Sequence, residues 1–328
     1  MRIVAVVFMT FWLQSAVAQN AAAQNTPDEV DRHLIAARTA AGYDFTDVLA
    51  RLCVAPQPVP LSVRDIAPAS RTPARDTWYT EPAKVFDNLY FVGSKIHNSW
   101  ALTTSQGIII LDTLFTYNSE EEIVGGLKKL GLDPKTVKYA IISHAHGDHV
   151  GGAKLLQDMG AHVVMGEADW NSIEKAVNGY PQGKPKRDIV ADDGQKITLG
   201  DTSVTIVTTP GHTPGTLSMI FPVKDNGRTL TVAYSGGTAF NFPTTAANFD
   251  TYIRSQQKMA AAAAASGATV LMSNHTEFDS AMPKIKVLPL RKPGEPHPFE
   301  IGKEAIARYF TTTRECAEAA KIKLTQGK

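Results

Sequence analysis

His144-Ala145-His146-Gly147-Asp148-His149 puts three imidazoles and a carboxylate into six consecutive residues, directly behind the run Val137 to Ile142. Apart from Lys138, that run is apolar at every position. Such a pattern predicts a strand covered on both faces. On extended backbone leaving the strand, side chains two apart point the same way, so His144 and His146 face one point in space. Asp148 and His149 follow at the turn into a predicted helix, where Gly151 and Gly152 permit close backbone approach. Zinc in enzymes takes imidazole and carboxylate ligands, about three from the protein, and keeps a further position open for water. Four candidate ligands therefore converge from one short segment, and the segment is read as a metal site.

One cluster does not complete two sites, so partners are sought farther along the chain. His212 lies in Thr209-Pro210-Gly211-His212-Thr213-Pro214-Gly215, a loop stiffened by proline and glycine that can fix an imidazole in space. His275, in Ser273-Asn274-His275-Thr276, follows a predicted strand from Ala268 to Met272. Both would then project from strand ends on the same edge of the molecule. His33, His162 and His297 are read as structural or solvent-facing, and so by default is His97, the one of the four placed to line a cleft. Asp112, after the run Ile108 to Leu111, is either a hydrogen-bond partner that fixes a histidine tautomer or a turn or helix cap. Trp100, Phe240 and Phe242 are read as pocket wall or plain core, and the basic stretch Tyr180 to Arg187 as a solvated loop.

The 328-residue chain opens with Arg2, an apolar run from Ile3 to Leu13, and Ala16-Val17-Ala18. That order matches a secretory signal peptide over residues 1–18, cleaved after Ala18, and the apolar run is shorter than the roughly 20 residues that span a bilayer. The expected location is periplasmic or secreted, with no membrane association after cleavage. Formal net charge is +1, and loss of Arg2 takes it to about zero. No basic field exists to draw in nucleic acid, and a small-molecule substrate is expected. The only cysteines, Cys53 and Cys316, would meet an oxidising compartment, and we expect them to pair.

Residues 19–80 form an N-terminal extension: a polar, Ala-rich start, a short predicted helix from Val30 to Ala41, then a Pro-rich stretch from Pro56 to Pro73 that suits neither helix nor central strand. From residue 81 to 328 the texture is that of one catalytic domain. β-like runs cover Val85 to Val92, Ser99 to Thr103 and Ile108 to Leu111, and a helix is predicted from Ser119 to Leu130. Further strands fall at Lys196 to Leu199, Val204 to Val207, Leu217 to Phe221 and Leu230 to Tyr234. A helix from Phe249 to Ala265, whose alanine run is read as tightly packed core, and a last amphipathic helix from Gly302 to Ala320 complete the pattern. Two sheet-rich halves with helices outside predict an α/β sandwich of four layers, helix, sheet, sheet, helix.

The spacing His-x-His-x-Asp-His, followed by Gly211-His212-Thr213 and a final His275, resembles the metallo-β-lactamase superfamily over about residues 84–320. The resemblance implies the αβ/βα metallo-β-lactamase sandwich, two Zn2+ per chain, and a hydrolase that attacks a carbonyl with a metal-bound hydroxide. In lactonases and glyoxalase II an aspartate that bridges both metals follows the strand after the second histidine motif, and in one lactamase subclass a cysteine stands there. Here that strand ends Val232-Ala233-Tyr234-Ser235-Gly236-Gly237-Thr238-Ala239-Phe240, with neither. The remaining set is similar to that of the third subclass of metallo-β-lactamases. By that resemblance His144, His146 and His212 hold the first zinc, Asp148, His149 and His275 hold the second, and Asp148 is also catalytic, orienting the hydroxide. The subclass places serines for the substrate carboxylate where this chain has Gly237 and Ala239, with Ser235 and Thr238 as substitutes. Two activities are therefore carried forward: hydrolysis of a β-lactam amide, and hydrolysis of another ester, lactone or amide.

Overall fold

A computed structural model describes residues 28–54, 72–177 and 179–326. The predicted signal peptide and most of the Pro-rich stretch lie outside the described residues. Among the described residues, twelve strands form two sheets. The first runs β1 (Ala83–Phe86), β2 (Leu89–Phe91), β3 (Trp100–Thr104), β4 (Gly107–Leu111), β5 (Val137–Ile141), β6 (His162–Met165) and β7 (Ile189–Val190), in that spatial order. β1 to β4 pair antiparallel and β4 to β7 parallel. The second contains β8 (Lys196–Leu199), β9 (Thr202–Thr208), β10 (Leu217–Asp225), β11 (Arg228–Ser235) and β12 (Val270–Ser273), in the order β12-β11-β10-β9-β8. β12 alone is parallel to its neighbour.

Side-chain alternation explains why the sheets stack. On β10, Leu217, Met219, Phe221 and Val223 face inward, and on β4, Ile109 and Leu111 do so; all join one inter-sheet core. Burying each such side chain contributes about 1.5–3 kcal/mol. The alternate residues of β4, Ile108 and Ile110, turn to a second core with Ile123, Leu127, Leu156, Trp170 and Ile173 of the outer helices. A third core joins Ala233 of β11 and Leu271 of β12 to the helices Ala246–Ala265 and Lys303–Thr325. The molecule is thus the four-layer α/β sandwich, with the run behind His144 apolar because β5 has a core on each side.

Three local expectations change. The run Val85 to Val92 is not one strand but the hairpin of β1 and β2, because Asp87 and Asn88 supply a turn. The alanine run Ala260–Ala265 is only partly core: Ala263 is buried, whereas Ala261, Ala264 and Ala265 are exposed. The predicted helix from Ser119 to Leu130 is present, but Glu120–Gly125 winds in wider π turns before Gly126–Lys129 becomes α-helical. Among the described residues no helix is long and apolar enough to cross a membrane.

The helix Glu29–Ala41 lies along the C-terminal helix, with Val30 packed against Ala319 and Ile322. Cys53 and Cys316 are joined as a disulfide across a sequence separation of 263 residues. The bond pins this part of the N-terminal extension to the last helix. A thiol titration of unreduced, denatured protein is therefore expected to return no free thiol. Breaking the bond in the Cys53→Ser/Cys316→Ser variant should lower stability by about 2–5 kcal/mol, measured by urea unfolding with zinc held constant.

Candidate metal centre

All six sequence-predicted ligands meet at one edge of the sandwich. His144 and His146 leave β5, Asp148 and His149 sit in the short helix Gly147–Val150, His212 lies in the loop from β9 to β10, and His275 follows β12. The short helix can nestle there because Gly151 and Gly152 lack side chains. A Cβ on Gly151 would stand 2.4 Å from the Thr116 nitrogen, and one on Gly152 2.5 Å from the Thr113 oxygen.

Hydrogen bonds set the tautomers, since carbonyls and carboxylates only accept. His144 donates Nδ1–H to the Gly236 carbonyl at 2.9 Å, and His212 donates Nδ1–H to the Ala239 carbonyl at 2.7 Å. Their Nε2 atoms are then left as acceptors, and they face each other at 3.0 Å. Nδ1 of His146 lies 3.1 Å from Nε2 of His212. Two lone pairs opposed at that distance repel unless a cation stands between them. Burial keeps His144 and His212 far below the usual imidazole range and His146 at about 4, so all three are neutral, as metal ligands must be. Ligand atoms about 2.0–2.1 Å from a tetrahedral ion lie roughly 3.3 Å apart, close to the spacing found here. The group fits a divalent ion, and so do the other clusters.

Beside it, Asp148 Oδ2 is 3.1 Å from His149 Nε2 and 3.3 Å from His275 Nε2. Burial disfavours a charged His149, yet Asp148 and Asp112 outweigh it and push its pKa up to about 10. Positive charge is thus strongly favoured at the point where His149 and Asp148 meet. Of the two readings of Asp112, the structure selects the tautomer partner. Its Oδ2 accepts from His149 Nδ1 (3.1 Å), Ser143 Oγ (2.8 Å) and Tyr234 OH (3.0 Å), and its Oδ1 from the Ser143 nitrogen (2.6 Å). Tyr234 comes from the second sheet, so this carboxylate also ties the halves together.

Two contributors were not read as part of the metal centre from sequence. Asp169 is buried and accepts from the Ala145 nitrogen at 2.8 Å, Thr213 Oγ1 at 2.8 Å and the Gly215 nitrogen at 3.0 Å. It braces the His144 segment against the His212 loop, although its own region carries no metal-ligand spacing that would mark it. His97, read by default as structural, lies with Nε2 3.4 Å from Asp148 Oδ2. Burial holds it neutral at about 3.

Other expectations resolve differently. His33 pairs with Glu315, His162 with Asp188, and His297 bonds the Val85 carbonyl, all away from the centre. Trp100 is fully buried between the sheets, and Phe240 packs among Phe242, Phe249 and Tyr252. Phe242 also reaches a groove of about 400 Å³ that includes His146 and His212. In the Tyr180 to Arg187 stretch, Arg187 is spent on Glu174 at the surface. The strand end after Tyr234 has no space for other donors. A Cβ on Gly236 would stand 1.7 Å from the Leu217 oxygen, and one on Gly237 2.5 Å from the His212 Cβ. Ser235 and Thr238 are buried, with Oγ atoms 3.2 Å apart, and Thr238 bonds Tyr309 at 2.8 Å, so both hydroxyls are engaged inside the protein.

A family model described as the metallo-beta-lactamase superfamily matches residues 92–260. The chain belongs to the metallo-beta-lactamase superfamily. The two sheets and flanking helices are that superfamily's sandwich, and the histidine and aspartate groups are the clusters of a metal-dependent metallo-hydrolase. Among solved structures the chain is similar to BJP-1, a subclass B3 metallo-beta-lactamase of Bradyrhizobium japonicum. That likeness has 29% identity and a TM-score of 0.64, over 76% of this chain and 96% of that one. It also resembles an N-acyl homoserine lactonase from a Bacillus species, 29% identical over 127 residues, covering 38% of this chain and 48% of that protein. Similarity extends to glyoxylase B2 of Dictyostelium discoideum, 25% identical over 126 residues, covering 33% of this chain and 42% of the relative. The chain spans about half or less of the length of these curated relatives.

Proposed function

We propose that the protein is an exported two-zinc hydrolase that opens the amide of a β-lactam. His144, His146 and His212 hold one zinc, and Asp148, His149 and His275 hold the other. A signal peptide over residues 1–18 and an N-terminal extension over 19–80 precede a catalytic domain from 81 to 328. The observation that carries this reading is the end of β11. With no space at Gly236 for a bridging carboxylate or a thiol, the donors divide into a three-histidine set and an Asp-His-His set, as in the third lactamase subclass. The likeness to BJP-1 supports the same choice, and the Cys53–Cys316 bond suits an oxidising compartment.

When bound, a pair of divalent ions supplies a water acidified toward neutral pH and an electrophile for the carbonyl oxygen. The chain's own residues do the rest. Asp148, held by the surrounding imidazoles, accepts a hydrogen bond from the attacking water and orients it. The groove edged by Phe242, Pro210, Pro214 and Pro243 receives the apolar part of the substrate. A smaller pocket of about 140 Å³ beside His212 and His275 is lined by Arg51, Asn241 and Glu277. Arg51 is paired with Glu277 at 2.8 Å, and Asn241 takes a substrate carboxylate in place of the absent serines.

Two observations favour a second reading, a hydrolase of lactones or other esters: no serine fits at Gly237, and lactonases are among the curated relatives. Zinc-loaded protein tested side by side on a β-lactam panel and a lactone and ester panel separates the two. Turnover of β-lactams above that of the other panel is expected. No β-lactam turnover by protein carrying two zincs, together with lactone turnover, would establish the second reading instead.

A further inference from the structure

The second ligand set contains one side chain more than the family pattern requires. Three imidazole Nε2 atoms converge on a single oxygen, Asp148 Oδ2: His149 at 3.1 Å, His275 at 3.3 Å and His97 at 3.4 Å. His149 Nε2 and His275 Nε2 also stand 3.1 Å apart, a spacing at which two unprotonated nitrogens repel unless a cation lies between them. These separations match the roughly 3.3 Å between ligand atoms that share one tetrahedral ion at bonds of about 2.0–2.1 Å. His97, Asp148 and His275 together present donor atoms close enough to share one metal ion.

The loop that bears His97 is built to hold it there. His97 and His275 form an antiparallel bridge. The Asn98 nitrogen donates to the Asn274 carbonyl at 2.9 Å, and the Thr276 nitrogen donates to the Ile96 carbonyl at 2.8 Å. Asn98 Nδ2 donates to the Ser273 carbonyl and to Asp279, whose carboxylate also accepts from the Ser273 nitrogen. The loop turns tightly at Gly93, where a Cβ would stand 2.6 Å from the Ser99 nitrogen and 2.7 Å from the His97 oxygen. Phe115 meets the His97 ring edge-on, with centroids 5.1 Å apart. Backbone pairing thus locks one imidazole to the other, and both point at Asp148.

We propose that His97 is a fourth protein ligand of the second metal, which makes that site His97, Asp148, His149 and His275. The assignment rests on the two-metal reading above. Four protein ligands close a site in the way structural zinc sites are closed, whereas the three-histidine site keeps its open position. The second ion is accordingly the more tightly held, and the open coordination position belongs to the first.

The test is zinc affinity, measured by competition with a chromophoric chelator. The unaltered chain is compared with His97→Ala, with His97→Phe, which keeps the ring against Phe115, and with His97→Gln, which can still donate to Asp148. A His144→Ala background isolates the second site. In that background the Kd for zinc should weaken at least about 100-fold in all three variants, beyond the roughly 10–100-fold typical when a ligand loses only a hydrogen-bond partner. The cobalt-loaded second site should change its visible absorption alongside. Unchanged affinity in His97→Phe, or full rescue by His97→Gln, would overturn the assignment and leave His97 a packing or positioning residue. A chain with intact His97 and His144 that binds only one zinc would overturn the two-metal reading itself, a distinct result.

Discussion

The His144→Ala variant is expected to retain one zinc per chain where the unaltered protein holds two, and to lose about 1,000-fold or more in kcat/KM on whichever panel substrate it turns over. Metal stabilisation of charge in the transition state contributes several kcal/mol, and each 1.36 kcal/mol is tenfold in rate. The fold should survive, because the ring is held by a hydrogen bond to the Gly236 carbonyl and not by the apolar cores. His212 would keep its bond to the Ala239 carbonyl and its aim, but with its partner across the 3.0 Å gap removed. Zinc content by elemental analysis, urea unfolding and kinetics on the same preparation check the three parts. Two tightly bound zincs with normal turnover would remove His144 from the centre.

Replacing Asp112 should act on stability and metal together. The Asp112→Ala change strips the acceptor from four buried donors: the Ser143 nitrogen and hydroxyl, Tyr234 and His149. Removing one partner of a buried charged network costs about 3–5 kcal/mol. Asp112 also adopts φ 59°, a left-handed conformation that aspartate and asparagine tolerate better than alanine. Asp112→Asn keeps that backbone and most of the volume. Its amide nitrogen must nevertheless face a donor, so one bond is lost and the His149 tautomer is no longer enforced. Asparagine should therefore fold with a smaller deficit yet bind the second zinc about 10–100-fold more weakly. Equal zinc affinity in Asp112→Asn and the unaltered chain would show that Asp112 serves structure alone.

The readable and unreadable parts of this protein differ for a physical reason. Candidate ligands on one short segment, His144 to His149, announce themselves because extended backbone aligns the first two and the turn into a short helix brings the others beside them. His212 was legible through its Pro/Gly loop, and His275 through its place after β12, and both lie at the same edge of the sandwich as the first cluster. His97 was legible only as the one remaining histidine placed to line a cleft, not as a neighbour of Asp148. Its proximity depends on a bridge between residues 178 positions apart in sequence, and nothing around it has the spacing of a metal motif. Asp169 was hidden likewise, since its three partners lie on two distant segments. The hairpin of β1 and β2 was lost by reading hydrophobicity through Asp87 and Asn88, the polar pair that reverses the chain. The glycines after Tyr234 could be noted as missing donors, but only the Leu217 carbonyl and the His212 side chain explain why no donor stands there.

The distribution of donors over both sheets has a thermodynamic consequence. The segment and short helix after β5 and the loop before β3 carry His97, His144, His146, Asp148 and His149, whereas the loops of the second sheet carry His212 and His275. Neither half assembles a complete set alone, so each ion bound at the proposed centre acts as a rivet through the seam between sheets. By mass action such a rivet raises the unfolding free energy by RT ln(1 + [Zn]/Kd), about 2.7 kcal/mol per site at a hundredfold excess of free metal over Kd. The durability of this sandwich is then partly a property of its surroundings: the same chain is sturdier where zinc is plentiful and frailer where a competing chelator has swept it away.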